Sequence, residues 1–474
     1  MPKNKLLKVV LSSVVLGLVS AQAQATTVQE AVAYTLQTSP DMLITTNIRE
    51  QANKDLRDAY ADYLPKVDVT GGAGQENSYN STTRGATRRL PGVAVNSLSG
   101  DNSTTLSRRE FNIAATQLLF DGWGVMHTVD GKKSRVKAAS MRVSGDAQDI
   151  ALQVVEAFLE LHFRQHVVEV ARRNLSAHQR IYGQIEKRSE GGIGRKADLD
   201  QALGRLARAR SNVLGAEGNL QDAETTYIRV VGKTPGNLSF PGNPHAGFPS
   251  SVKEATDRAL ANHPILIASN YDVDVTRSEY KAGRSPFVPR VTLDLGLQRN
   301  HNIDGSKGDN DKNVAMVRFV WNVFRGGGDV ANLCRLAYKQ QEAQEVRNRA
   351  HRQVVERVHF AWTQYETAKN SLKHLKTHRD ASIRTRDAYQ KQFNIGQRTL
   401  LDLLDSENEL FTSSVDYLDG DNLLSVGMYR IINSMGALTD YLGVQLPKSA
   451  NVHPDGMFDG SRPFFKSTDK SFES

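Results

Sequence analysis

The chain has 474 residues, 24% of them charged, a formal net charge of +8 and one cysteine, Cys334. A single cysteine excludes an intrachain disulfide, so the fold must be held by packing or by association of copies. The positive balance does not mark a nucleic-acid binder, because Lys and Arg are scattered along helical segments beside acidic residues.

The chain opens with Lys3, Lys5 and Lys8, an apolar run from Val9 to Val19 and the sequence AQAQA. This order predicts a secretory signal over 1–25, with cleavage after Ala25. The run is shorter than the roughly 20 residues of a membrane-spanning helix, and no later run reaches that length. Export also makes nucleic acid an improbable partner.

The rest is one unit written twice. VQEAVAYTLQTSP at 28 matches VKEATDRALANHP at 252 without a gap, and the register carries through to YLPKVDV and FVPRVTL. LLFDGWG at 118 then matches NVFRGGG at 322, and GIGRKADLDQA at 192 matches NIGQRTLLDLL at 394. The first copy is expected over 26–247 and the second over 248–447, with a flexible tail over 448–474 that has no repeat partner.

Each copy starts with a short amphipathic helix and a longer one that ends before a proline. Strands follow at about 67–79 and 108–120, then at about 291–302 and 312–324. Val291, Leu293, Leu295 and Leu297 alternate with Thr292, Asp294, Gly296 and Gln298, the period of a strand with one apolar face. Val317, Phe319, Trp321 and Val323 should share a face, with Arg318 opposite. Polar loops are expected near 80–107 and 303–311.

Helical hairpins are expected at about 130–232 and 329–441. Their first arms run without proline, and the one at 130–188 would reach on the order of 88 Å at about 1.5 Å per residue. Turns at Gly194 and Gly396 reverse the chain. Leu400, Leu404, Phe411, Val415 and Leu418 then follow the mixed three-and-four spacing of a coiled-coil seam.

GQRTLLDLLDSENEL, at 396–410, places Asp402 and Asp405 on one helical face while Leu400, Leu403 and Leu404 line another. By itself this is what an acidic first turn beside a helix dipole looks like. The strands raise a larger question. Four strands of about 11 residues with one apolar face suit an outer-membrane barrel, but the smallest such barrels need about eight. Phe120 and Trp123 end one strand, and Trp321 and Phe324 end another, as an aromatic girdle would. Three chains would supply twelve strands and leave a lumen, so a homotrimer sharing one barrel is expected.

The two-copy layout, the LPxV strand entry, FRGGG and GQRTLLDLLDSENEL resemble the TolC family of outer-membrane channel-tunnels, over about 28–446. The resemblance implies a mainly α fold with a trimeric, twelve-stranded membrane barrel and a periplasmic helical tunnel, in the outer membrane of a Gram-negative bacterium. It implies a periplasmic adaptor, an inner-membrane ABC transporter and contact with outer-membrane lipid. RIINSMGALTDYLGV is most similar to the branch that exports large adhesins and toxins, which makes a secreted protein the expected cargo. Asp402 and Asp405 match the acidic ring of the family's tunnel entrance. Arg398 matches its gating arginine, and Asp200 the partner aspartate on a neighbouring helix. The turns at Gly194 and Gly396 match the adaptor-facing tips. Phe393 departs from the pattern, standing where relatives carry a tyrosine.

No enzymatic motif is present. Gly326–Gly328 lack the lysine–serine of a phosphate loop, and no nucleophile elbow occurs. His162 and His166 stand four apart, the spacing of a metal pair, without an evident third ligand. No cofactor, metal or catalytic activity is expected. The leading expectation is the exit duct of a type I secretion system. A drug-efflux channel is the alternative within the fold, and a periplasmic coiled coil without a pore is the alternative outside it.

Overall fold

The computed structural model describes residues 27–83, 103–192, 195–240, 242–244 and 247–453. The expected signal segment, most of the loop after the first strand, Gly194 and the tail beyond 453 lie outside the described residues. The first copy supplies α1 (Val28–Thr38), α2 (Pro40–Ala61), β1 (Lys66–Ser78), β2 (Thr104–Phe120), α3 (Gly124–Glu190) and α4 (Lys196–Val231). The second repeats the order with α5 (Val252–Asn262), α6 (Pro264–Ala282), β3 (Arg290–His301), β4 (Asp309–Val320), α7 (Gly328–Asn394) and α8 (Leu400–Ser434). A short α9 (Leu438–Tyr441) follows. The chain is mainly helical, with one small sheet.

The fold divides into two compact units. The described residues of Leu36–Leu152, His245–Thr367 and Gly427–Ser474 form the first, which contains the sheet. Its strands lie in the order β1-β2-β3-β4, all antiparallel. Both copies therefore contribute to one sheet, joined where β2 meets β3.

Registers fix the two faces. Val67 lies opposite Ala115 and Val69 opposite Ile113; Ile113 and Ala115 face Leu297 and Leu295; Leu293 and Leu295 face Val317 and Ala315. Because side chains alternate across a strand, these residues make one continuous apolar face. Asp68, Thr70, Asn112, Thr116, Thr292, Asp294, Gln298, Lys312 and Arg318 fall on the other, where Arg318 donates to Asp294 at 2.6 Å. Val67, Val69, Val317 and Phe319 are all about 60% exposed, so no other element among the described residues covers this end of the apolar face. The outer edges of β1 and β4 have no strand partner among the described residues.

β2, β4 and α3 start 3 to 6 residues before the expected positions, at Thr104, Asp309 and Gly124, and three further features differ. β4 stops at Val320, leaving Trp321, Val323 and Phe324 beyond the sheet. The reason is register: Val320 pairs with Arg290, the first residue of β3, so nothing remains for later residues to bond. β2 shifts register between Leu118 and Phe120, a bulge that puts Phe120 on the apolar face. The tail also does not start loose at 448. Thr46 and Ser449 share a hydrogen bond of 3.1 Å, and buried Arg49 donates to the His453 carbonyl at 3.3 Å, so the first residues of the tail lie on α2.

α2 is held by Ala52, Leu56 and Ala59 packed on Val129, Val136 and Ala139 of α3. The link from β2 into α3 turns through Gly122 and Trp123, with φ of 69° and 63°. In the second copy glycines, Gly326 and Gly327, occupy the matching positions. A side chain at such φ is strained, so Trp123 is held in a conformation that glycine adopts freely.

The second unit comprises the described residues of Met1–Thr35, Gln153–Pro244 and Ala368–Val426. In α4 the buried positions Ala202, Leu206, Ala209, Val213 and Ala216 alternate four and three apart, which winds the helix against a partner. Alanine at every second knob lets the backbones approach closely. Phe163, Val167, Val168 and Ala171 of α3 fill the other side, with Phe411, Val415 and Leu418 of α8 packed against them.

Candidate functional site

The tip of the second hairpin is built from five connecting residues, 395–399. Gly396 takes a left-handed φ of 77°. The Gly396 and Gln397 amides donate back to the carbonyls of Phe393 (3.0 Å) and Gln392 (2.9 Å). These bonds close the end of α7, as glycine-terminated helices do.

Thr399 then caps α8. Its hydroxyl accepts from the Asp402 amide at 3.3 Å and donates to the Asp402 carboxylate at 2.8 Å, while the Thr399 amide donates to the same carboxylate at 3.3 Å. This reciprocal pair is a capping box with aspartate at the third helical position. The Thr399 hydroxyl and amide, helped by Arg398, hold the Asp402 carboxyl below the usual carboxylate range. Arg398 lies 3.8 Å from Asp402, donates to the Gln392 side chain at 2.9 Å and stacks 4.3 Å over the Tyr389 ring.

Below the turn lies a core drawn from four helices. Ile181 and Ile185 of α3, Ala202 of α4, Phe393 of α7 and Leu400, Leu403 and Leu404 of α8 form one cluster, with Leu199 and Tyr182 at its margin. Leu403 and Leu404 are fully buried. Phe393 fills this core and carries the Arg188 guanidinium 5.2 Å over its ring, a cation–π contact that needs no hydroxyl. Arg205 of α4 donates to Asp405 of α8 at 2.6 Å, tying the two hairpins. One layer deeper, Arg386 meets buried Glu407 at 3.2 Å.

The expected site residues are thus arranged differently from their sequence reading. Asp402 and Asp405 both stand on the first turns of α8, but one carboxylate caps its own helix and the other is paired with Arg205. Within one chain Arg398 meets Asp402, not Asp200. Asp200 is exposed and has no polar partner among the described residues. Sequence reasoning missed Arg205; the available signal was its place one residue before Leu206, in the α4 seam. Gly396 is at a hairpin tip, and Gly194 lies outside the described residues. Of the aromatic set, Phe120 and Trp123 meet edge to face at 5.3 Å, whereas Trp321 and Phe324 are exposed and off the strand. Among the described residues no group of three or more His, Cys, Asp or Glu side chains converges on one point.

The chain matches the family model "Outer membrane efflux protein" over residues 31–233 and 255–436. It is 26% identical over 337 residues to the outer membrane efflux protein BepC of Brucella suis, covering 70% of this chain and 74% of that one. It is 23% identical over 316 residues to the alkaline protease secretion protein AprF of Pseudomonas aeruginosa, covering 64% and 63%. The fold is similar to the crystal structure of the Campylobacter jejuni CmeC outer membrane channel, with a TM-score of 0.73 at 13% identity, covering 87% of this chain and 86% of that one.

Proposed function

The chain belongs to the outer membrane efflux protein family, the family of the TolC channel-tunnels, and on that premise we propose that it is the exit duct of a type I secretion system. Members of the family are trimeric outer-membrane channels that work with periplasmic adaptors and inner-membrane transporters. They are channel proteins, not enzymes. The barrel is formed by the trimer, which explains a four-stranded sheet with both outer edges open.

The observation that carries the duct reading is the sheet itself. Its apolar face suits lipid and its opposite face, with Asp294, Arg318 and Lys312, suits a wet lumen. In this reading an ABC transporter and adaptor load an unfolded protein at the hairpin end, and the channel provides an uninterrupted exit. The similarity to a protease secretion protein supports protein as the cargo. The similarity to BepC, named for efflux, supports small molecules as the second reading.

Asp402 and Asp405 are proposed to line the entrance, where threefold repetition would concentrate negative charge around one axis and favour cations. Arg398 and Asp200 are proposed to latch between neighbouring chains, since neither engages the other within one chain. A deletion strain separates the cargo readings. Loss of a large surface or secreted protein, with unchanged drug susceptibility, supports secretion. Hypersensitivity to small toxic compounds with an intact secretome replaces it with efflux.

A further inference from the structure

One polar cluster of the hairpin unit takes no part in the tip. His162 and His166 lie one turn apart on α3, with their Nε2 atoms 3.2 Å from each other and their rings nearly perpendicular. Both stand at half-buried positions beside the packed seam of Phe163, Val167 and Val168, so the core does not need them.

The surroundings hold the rings in place. Phe240 stacks on His162 with centroids 5.0 Å apart and planes 29° apart. Glu169 faces His166 Nδ1 at 3.5 Å. A carboxylate at that nitrogen favours the Nδ1–H tautomer, so His166 Nε2 accepts the 3.2 Å hydrogen bond from His162 Nε2. An ion can take that lone pair instead, once the His162 proton moves to its Nδ1. The sequence signal for this partner was present, since Glu169 follows His166 by one helical turn. Of the nearby cations, Arg164 pairs with Glu160 at 2.7 Å, while Arg173 lies 3.9 Å from the Glu169 carboxylate and shares it with His166.

We propose that His162 and His166 bind one divalent transition-metal ion per chain through their two Nε2 atoms, with water completing its coordination. Bonds of about 2.0–2.1 Å to nitrogens 3.2 Å apart meet at about 100°, close to the tetrahedral preference of zinc. Two imidazoles and water suit zinc and copper(II) far better than calcium or magnesium. Copper(II) should bind more tightly than zinc, because affinity for a nitrogen site rises to copper and falls after it. His166 also borders a cavity of about 410 Å³ between the hairpins, so an ion has a route to the pair. Glu169 acts as a positioning residue, orienting His166 without touching the metal.

The test is a metal titration of the untagged, chelator-stripped full chain purified in detergent, with zinc and then copper(II). The expected result is one ion per chain at micromolar free metal, with affinity at least tenfold lower in His162→Gln and in His166→Gln. Glu169→Gln should weaken binding by about tenfold, as loss of an outer-shell partner does. Circular dichroism and trimer mobility check that the variants fold. On the unaltered protein, zinc should slow acylation of His162 and His166 by diethyl pyrocarbonate. The proposal is overturned by no binding at micromolar metal, by His166→Gln binding as tightly as the parent, or by acylation that zinc does not slow.

Discussion

The two copies of the repeat have a longest helix of equal length and opposite burial. α3 and α7 each run for 67 residues. α3 buries a nearly continuous row from Val129 to Ile185, whereas α7 buries only Leu336, Val354, Val358, Ala361, Ser382 and Phe393. Tyr338 and Phe360 on α7 are 70% and 62% exposed. A repeat that keeps its topology but not its burial has specialised. The first copy supplies packing within the chain, and the second leaves a long helix with large apolar side chains uncovered, the place to test for a contact between chains.

The turns differ as well. α8 starts at Leu400 under the Thr399 cap, while the position matching Thr399 in the first copy is Ala197, which has no oxygen to offer. There the helix starts earlier, at Lys196, and its N-cap Arg195 makes no side-chain bond. Asp200 and Asp402 occupy matching places in the repeat, yet only Asp402 can close a capping box.

The largest test of this contrast sets the tip core against the open helix. Leu403→Ala should cost about 2–5 kcal/mol, the range for truncating a fully buried leucine, read as a fall in the thermal midpoint. Phe360→Asp should leave helix content unchanged and convert the trimer on gels to monomer. A trimer that survives it means α7 is not an interface.

Next is acid. His263, which matches Ser39 of the first copy, caps α6 by accepting from the Ile265 amide through Nδ1 at 3.3 Å. Burial, with the Arg357 charge adding and Asp149 opposing, lowers its pKa to about 4. The unfolded chain, near 6.5, therefore binds more protons between those values. Stability is full above about pH 6.5 and is lost as pH falls toward 4, by roughly 3 kcal/mol in all. His263→Ser, copying the first copy, should flatten that part of the pH–stability curve; an unchanged slope refutes the assignment.

A smaller effect is expected at the cap. Thr399→Ala should destabilise the second hairpin by about 1 kcal/mol and raise the Asp402 pKa, visible by carboxyl NMR titration. The same change at the first tip has no counterpart, because its N-cap Arg195 makes no side-chain bond. Smallest is the bridge between copies. Arg205 and Asp405 are partly exposed, so a double-mutant cycle with Arg205→Ala and Asp405→Ala should return about 0.2–1 kcal/mol. Conductance in planar bilayers should rise in both single variants if the bridge holds the entrance closed, and equal conductance would detach it from gating.

Much of the fold was legible because its periods are long. Arg290 to Gln298 of β3 alternate without fault, and the seam of α8 keeps its spacing over several turns, so local pattern and tertiary role agree. The end of β4 was not legible: Trp321 and Val323 continue the alternation, and only the start of β3 at Arg290 removes their partner. The bulge at Leu119 and the docking of Ser449 on α2 likewise depend on residues distant in the chain. At the site, the acidic pair was visible but its partners were not. Asp402 turned on a neighbour three residues away, while Asp405 turned on Arg205, in the other copy of the repeat.

The amino-acid sequence by itself determined the repeat, the strand and helix periods and the one-sided strands, because these are set by spacing along a single chain. Tertiary structure alone decided which carboxylate bridges, where the sheet stops and which of two equal helices is buried. Those outcomes depend on what stands within a few ångströms in space, and residues 200 positions apart leave no local mark of that proximity.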